Sequence, residues 1–141
     1  MLLVDAYSLK TRLNYSQLKE EHSGPAFMFS LEAQYPRKFL DKIKHLGFQN
    51  QCFRSTEAMY AQLALTAVDL VSNDTSVTSA TIVSQHGGVI PVLWYLVKNT
   101  ALPVTYISKI VPDSLAKLLT FEPCGKYLFE KEGEASEVPV L

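Results

Sequence analysis

The polar residues best placed for chemistry stand where apolar runs end. Asp5 closes the run "LLVD" near the start of the chain. A second such place is "SQHGGVIPVLWYLV" (Ser84–Val97), which reads as a buried strand end, a two-glycine turn and a very apolar helix. In an open α/β sheet, ligands bind at turns of this kind. This one offers Ser84, Gln85 and His86, but no acid, lysine or cysteine. Gly87 and Gly88 at a helix start could let backbone amides hold a phosphate. Two adjacent glycines fall far short of a phosphate-loop motif and more often permit a tight turn. A nucleotide or small phosphate held by Gln85–Gly88 is therefore the weakest of three functional readings.

The surrounding pattern supplies elements to position these residues. Strands are expected over Leu2–Tyr7, Pro25–Glu32, Phe48–Phe53, Ser79–Ser84 and Leu102–Ser108, and "SATIVS" lacks the polar alternation of a half-exposed strand. Pro36–Gly47 is the clearest helix, with Pro36 in the first turn and Gly47 as the left-handed residue after the last. Ser55 or Thr56 caps a longer helix running to about Ser72. Val89–Asn99 and Pro112–Leu119 are helical too, the latter capped by Asp113 or Ser114. Strands alternating with helices predict an α/β fold, a three-layer α/β/α sandwich on a mostly parallel, Rossmann-like sheet of five strands. Residues 1–129 form one domain, and "EKEGEASEVPVL" (130–141) reads as an acidic, flexible tail.

Composition narrows the function classes. A 141-residue chain that is 48% hydrophobic and 19% charged has the makings of a single globular core. A formal charge of -1 gives no bulk attraction to nucleic acid, so any RNA contact must rest on a local patch. Cys52 and Cys124 match no metal-ligand spacing, and Cys52, in an apolar run, reads as a small buried hydrophobe. "MLLVDAY" is too short for a signal peptide, and no apolar run reaches transmembrane length. The default is a soluble intracellular protein of the cytoplasm or nucleus with no membrane partner.

Four fragments occur in a telling order: "VDAYSL", "KHLGFQNQCF" (Lys44–Phe53), "LALTAVD" (Leu63–Asp69) and "SQHGGVIPVL" (Ser84–Leu93). Together they resemble the NYN domains of the PIN-like nuclease superfamily over roughly Leu2 to Leu119. The family's first strand commonly ends in D-x-x-N; Asp5 keeps the acid and Ser8 stands where the asparagine would be. In the family's D-V-x-L-x-x-D, Leu63 replaces the first acid and Asp69 occupies the second. In its S-G-D-x-D-F, Ser84 is kept, Gln85 replaces glycine, and His86 and Gly88 replace the two aspartates. The resemblance implies a fold that cleaves RNA with one or two divalent metals held between three or four carboxylates. Here the matched positions supply Asp5, Leu63, His86 and Gly88, a poor set for the oxygen-seeking Mg²⁺ or Mn²⁺.

The leading expectation is thus a catalytically impaired NYN/PIN-like domain, with no cofactor, that binds a protein partner, a second copy of itself or RNA. The balanced charge tilts this toward protein, and the apolar helix Val89–Leu96 could form part of a subunit contact. The alternative is a metal-dependent ribonuclease with a rearranged set of Asp5, Glu32, Asp69 and His86, using Mg²⁺ or Mn²⁺. In the family's strand order the first and fourth strands are neighbours, which would bring Asp5 and His86 into one cleft. Such a pair could serve acid–base chemistry or hold a transition metal. The plainer reading makes Asp5 a strand-closing residue bonded to backbone amides and His86 a loop histidine. Ser8, Ser84, Gln85, Gly87, Gly88, Arg54 and Lys109 would line the cleft. Lys10, Arg12, Arg37, Lys38, Lys42 and Lys44 add basic character, more simply explained by solubility. Tyr7, Tyr60, Trp94 and Tyr95 could stack on bases, although at helical spacing most belong to a core.

Overall fold

A computed structural model describes residues 1–9 and 13–128; Lys10, Arg12 and the acidic segment 130–141 lie outside the described residues. Among the described residues six strands form one sheet: β1 (Leu2–Asp5), β2 (Ala26–Leu31), β3 (Phe48–Phe53), β4 (Ala80–Val83), β5 (Val104–Ser108) and β6 (Thr120–Pro123). Their order is β3-β2-β1-β4-β5-β6, and every neighbouring pair is parallel. The helices are α1 (Tyr15–Glu21), α2 (Arg37–His45), α3 (Thr56–Asn73), α4 (Ile90–Asn99) and α5 (Asp113–Ala116). One sheet lies between two helical layers, the three-layer α/β/α sandwich.

Local chemistry explains the principal elements. β1 and β4 are buried at every residue, which is why both read as unbroken apolar runs apart from Asp5 and Thr81. α2 ends at His45, and Gly47 follows with φ 101°, a backbone conformation that favours glycine. Ser55 caps α3 by accepting a hydrogen bond from the Ala58 amide at 3.2 Å. Right-handed crossovers put α1 and α2 on one face, and α3, α4 and α5 on the other. Leu2, Val4, Met28, Val83 and Ile107 pack with Leu18, Phe39, Ile43 and Tyr127 on the first face. Leu3, Phe29, Ile82 and Tyr106 pack with Met59, Leu63, Leu93, Leu96 and Leu115 on the second.

Three expectations need correction. The sheet has six strands rather than five, because "TFEP" pairs with β5 from Thr105↔Thr120 to Ser108↔Pro123. Its Pro and Glu masked a short edge strand. Cys52 is exposed, not buried, because β3 stands at the end of the sheet. The last helix spans only Asp113–Ala116 and follows Pro112, with no side-chain cap from Asp113 or Ser114. The apolar side of α4, including Val92, Leu93 and Leu96, is spent on the core of its own chain.

A polar network closes the face opposite α3. His22, after α1, lies 3.1 Å through Nδ1 from the Thr81 hydroxyl and 3.0 Å through Nε2 from the Tyr127 hydroxyl. Tyr127 donates to Glu122, and Lys126 pairs with Glu21 at 2.9 Å. These contacts hold the turn Cys124–Tyr127 against α1 and the sheet. Burial is the largest influence on His22 and lowers its pKa, against the opposing carboxylates of Glu122 and Glu21.

Candidate binding crevice

Strand order reverses between β1 and β4, because the chain builds outward to β3 and then restarts at β4. The loops leaving these two strands diverge to opposite faces and open a crevice at their C-terminal ends. Asp5 is the last residue of β1, and Ser84 directly follows β4, so side chains from both halves of the sheet meet there.

The Asp5 carboxyl is fully buried and is held by three donors from its own chain. Oδ2 accepts from the Tyr60 hydroxyl and the Ser84 hydroxyl, each at 2.7 Å. Oδ1 accepts from the Ser8 amide at 3.2 Å. The same residues then secure the turn after β4. The Gln85 amide donates to Ser8 Oγ at 2.9 Å, and the His86 amide donates to Ser84 Oγ at 3.0 Å. Gln85 extends its side-chain amide to Cys124 Sγ at 3.2 Å, tying the turn to the segment after β6.

His86 is exposed and stacks on the Tyr60 ring, with centroids 4.5 Å apart and planes inclined by 16°. The Gly88 amide donates to His86 Nδ1 at 2.8 Å, which assigns the proton of a neutral ring to Nε2. Asp5 and His86 therefore share the crevice with Tyr60 between them: its hydroxyl meets the acid and its ring meets the imidazole. Burial, then the bond to Asp5, raises the Tyr60 pKa far above the ordinary phenol value, so Tyr60 stays a donor. A Cβ at Gly88 would come within 2.9 Å of His86 Nδ1 and 3.1 Å of Tyr60 Cγ, whereas one at Gly87 would meet nothing within 4 Å. Glycine is favoured at the second position because any side chain there would push on the stacked rings. The Gly88 amide is already engaged by His86, which weakens the phosphate reading.

The remaining candidates stand apart. Glu32 is exposed beyond the end of β2, three residues past the Phe29 that pairs with Asp5, and lies 3.8 Å from exposed Arg54. Asp69 is exposed late in α3, far along the helix from Tyr60, and accepts from Asn73 at 2.7 Å. Lys109 is exposed just beyond β5, on the side of the sheet where the crevice opens. Among the described residues, no three of His, Cys, Asp and Glu gather in a way that could hold a metal ion.

Tyr60 is the residue that sequence reasoning undervalued, as one of several core aromatics. Its signal was positional: a helix leaving β3 starts at the C-terminal edge of the sheet, so its first turns overlook the crevice. Tyr35 carries no comparable sequence signal; its hydroxyl donates to the Ala6 carbonyl at 2.9 Å, bracing the chain just after Asp5.

These features define a doubly wound parallel α/β protein with its crevice at the strand-order reversal. No protein-family model matches the chain, and no curated protein matches its sequence. Among solved structures it is similar to a protein of unknown function from Vibrio parahaemolyticus, with TM-score 0.72 and 15% identity over 91% of this chain and 94% of that one. That likeness is one of fold. Among the described residues, no helix is long and apolar enough to cross a membrane.

Proposed function

We propose that this chain is a catalytically impaired NYN/PIN-like domain that acts by binding a protein partner, a second copy or RNA. The observation that carries the reading is the state of Asp5. The acid that would anchor a metal cage is fully buried and engaged by Ser8, Tyr60 and Ser84. Its work is to join the two halves of the sheet. Glu32 and Asp69, the acids a rearranged nuclease would recruit, are committed elsewhere on the surface.

The test is cleavage of a labelled single-stranded RNA with Mn²⁺, with EDTA and Asp5→Asn as controls and the folded fraction of each sample matched by circular dichroism. The expected result is no metal-dependent cleavage above that of the variant. Cleavage abolished both by EDTA and by a folded Asp5→Asn protein would overturn the reading in favour of a rebuilt metal-dependent ribonuclease.

A further inference from the structure

The charges of this chain are unevenly divided. Four of its 14 acids and one of its 13 bases fall in the segment 130–141, which leaves bases in excess over the rest. Much of that excess gathers on one helix. α2 carries Arg37, Lys38, Lys42 and Lys44 at exposed positions against the single acid Asp41, and His45 stands exposed at its end. Its buried side chains, Phe39 and Ile43, face the sheet, so the charges form its outer face. Lys38 and Lys42 are four residues apart, a spacing at which like charges repel along a helix. Among the described residues, Arg37, Lys38 and Lys44 make no ion pair. The described bases outside α2 are engaged or isolated. Arg54 pairs with Glu32 and Lys126 with Glu21, Lys19 donates to the Gly24 carbonyl, and Lys98 lies over the Trp94 ring. Lys109 and Lys117 stand singly on either side of α5.

We infer that the outer face of α2 is the docking surface for the acidic segment 130–141 of the same chain, whose glutamates lie against Arg37, Lys38 and Lys44. The last described residues deliver the chain to the right place. Leu128 bridges Leu13, and the Asn14 amide donates to the Tyr127 carbonyl at 2.7 Å, which sets the exit of the chain beside the start of α1. Helix α1 packs on α2 through Tyr15 and Phe39, whose ring centroids are 5.9 Å apart. Both helices begin at the C-terminal edge of the sheet, because they follow β1 and β2, so Leu128 and Arg37 stand at the same edge. Leu128 also packs against the core face that holds Phe39 and Ile43.

Length and charge both favour this occupant. Packed helices lie about 10 Å apart, and an extended chain covers about 3.4 Å per residue, so the step from α1 to α2 takes about three residues. Glu130, Glu132, Glu134 and Glu137 follow Leu128 closely enough to reach Arg37 and Lys38 and to continue along the helix toward Lys44. A segment tethered this close meets the helix at about millimolar effective concentration. Ion pairs that are individually weak on a surface thus act together along one face, an advantage that a separate anion lacks. Any anionic partner of α2 has to displace the segment first.

The inference does not rest on the reading of the crevice, and it holds for a binding module and for a nuclease alike. Zero-length carbodiimide cross-linking of the unaltered full chain tests it. At low salt, isopeptide bonds are expected between the glutamates of 130–137 and the α2 lysines, at several times the yield to Lys98, Lys109 or Lys117. In an equal mixture of isotopically light and heavy chains, each linked peptide should carry one label only. Raising the salt to about 1 M, where the screening length falls to about 3 Å, should cut the yield severalfold. Linked peptides that carry both labels would move the segment onto a second copy and overturn the inference. Equal yields at all lysines, none on α2, or a yield indifferent to salt would overturn it too. Amide chemical shifts give a readout independent of the linking chemistry. Neutralising the segment with Glu132→Gln, Glu134→Gln and Glu137→Gln is expected to shift the amides of α2 and leave those of α4 in place. Amides of α2 that do not move would refute the contact.

Discussion

Removing the Tyr60 hydroxyl separates the hydrogen bond to Asp5 from everything else Tyr60 does. In Tyr60→Phe the ring keeps its stack on His86 at 4.5 Å and its packing beside Gly88, while Asp5 Oδ2 loses one of its two 2.7 Å donors. Asp5 is fully buried, so water cannot replace the donor without opening the crevice. A hydrogen bond to a carboxylate contributes about 1.5–3 kcal/mol, against about 0.5–1.5 kcal/mol for a neutral pair. Tyr35→Phe is the internal standard, since it deletes a 2.9 Å bond from a phenol to a neutral carbonyl, that of Ala6. Urea unfolding at neutral pH should lower the midpoint for both variants at unchanged slope, with Tyr60→Phe costing about 1–2 kcal/mol more than Tyr35→Phe. Equal losses, or a smaller loss for Tyr60→Phe, would refute the claim that Asp5 is the principal clamp of the crevice.

Gly88→Ala should destabilise the fold by about 1–3 kcal/mol by pushing on the His86 and Tyr60 rings, while Gly87→Ala, facing open space, should leave the melting temperature nearly unchanged. Stability should fall as pH rises above about 10, where unfolded tyrosines release protons that the folded chain retains. Burial raises Tyr15, Tyr60 and Tyr127, and pushes Tyr35 up to about 12. Urea midpoints that stay flat from neutral pH to pH 11 would contradict this. At the acid end, His22 is lowered from 6.5 chiefly by burial, so its contribution is complete above that value and is lost as pH falls toward the folded pKa. His22→Gln should flatten the fall in melting temperature over that window, and an unchanged slope would place the acid sensitivity elsewhere.

The sequence made the central architecture legible and hid its margins, for one physical reason. β1, β2, β4 and β5 are buried on both faces, and a parallel strand in that position must be a short apolar run between turn residues. α2 announces itself through its apolar stripe and through Gly47, whose φ of 101° disfavours any side chain. At the edges that pressure disappears. β6 holds Glu122 and Pro123 and so lacks the mark of burial that identifies an inner strand, whereas β3 is expected over Phe48–Phe53 as found and only the exposure of Cys52 is missed there. The crevice shows the same division. Asp5, Ser8, Ser84 and His86 were visible because they end or follow recognisable strands. Tyr60 was not, since its hydroxyl meets an acid 55 residues away that only the topology brings near.

The three donors to Asp5 come from the turn after β1, the first turns of α3 and the end of β4. One carboxyl thereby ties together the two strands between which the sheet reverses and the first helix of its second half. A residue so placed cannot be read by the usual logic of an inactive mutant. If Asp5→Asn lost an activity, the loss could follow from the turn Gln85–Gly88 coming free, because Ser84 and Ser8, which bond Asp5, also hold the amides of His86 and Gln85. His86 escapes this ambiguity. Its side chain is exposed, and what it gives the fold is the stack on Tyr60 and one bond from the Gly88 amide. Comparison of His86→Ala with Asp5→Asn therefore distinguishes chemistry in the crevice from support beneath it. An activity that uses the imidazole falls in both variants. An effect that runs through the clamp falls in Asp5→Asn in step with the melting temperature and survives in His86→Ala.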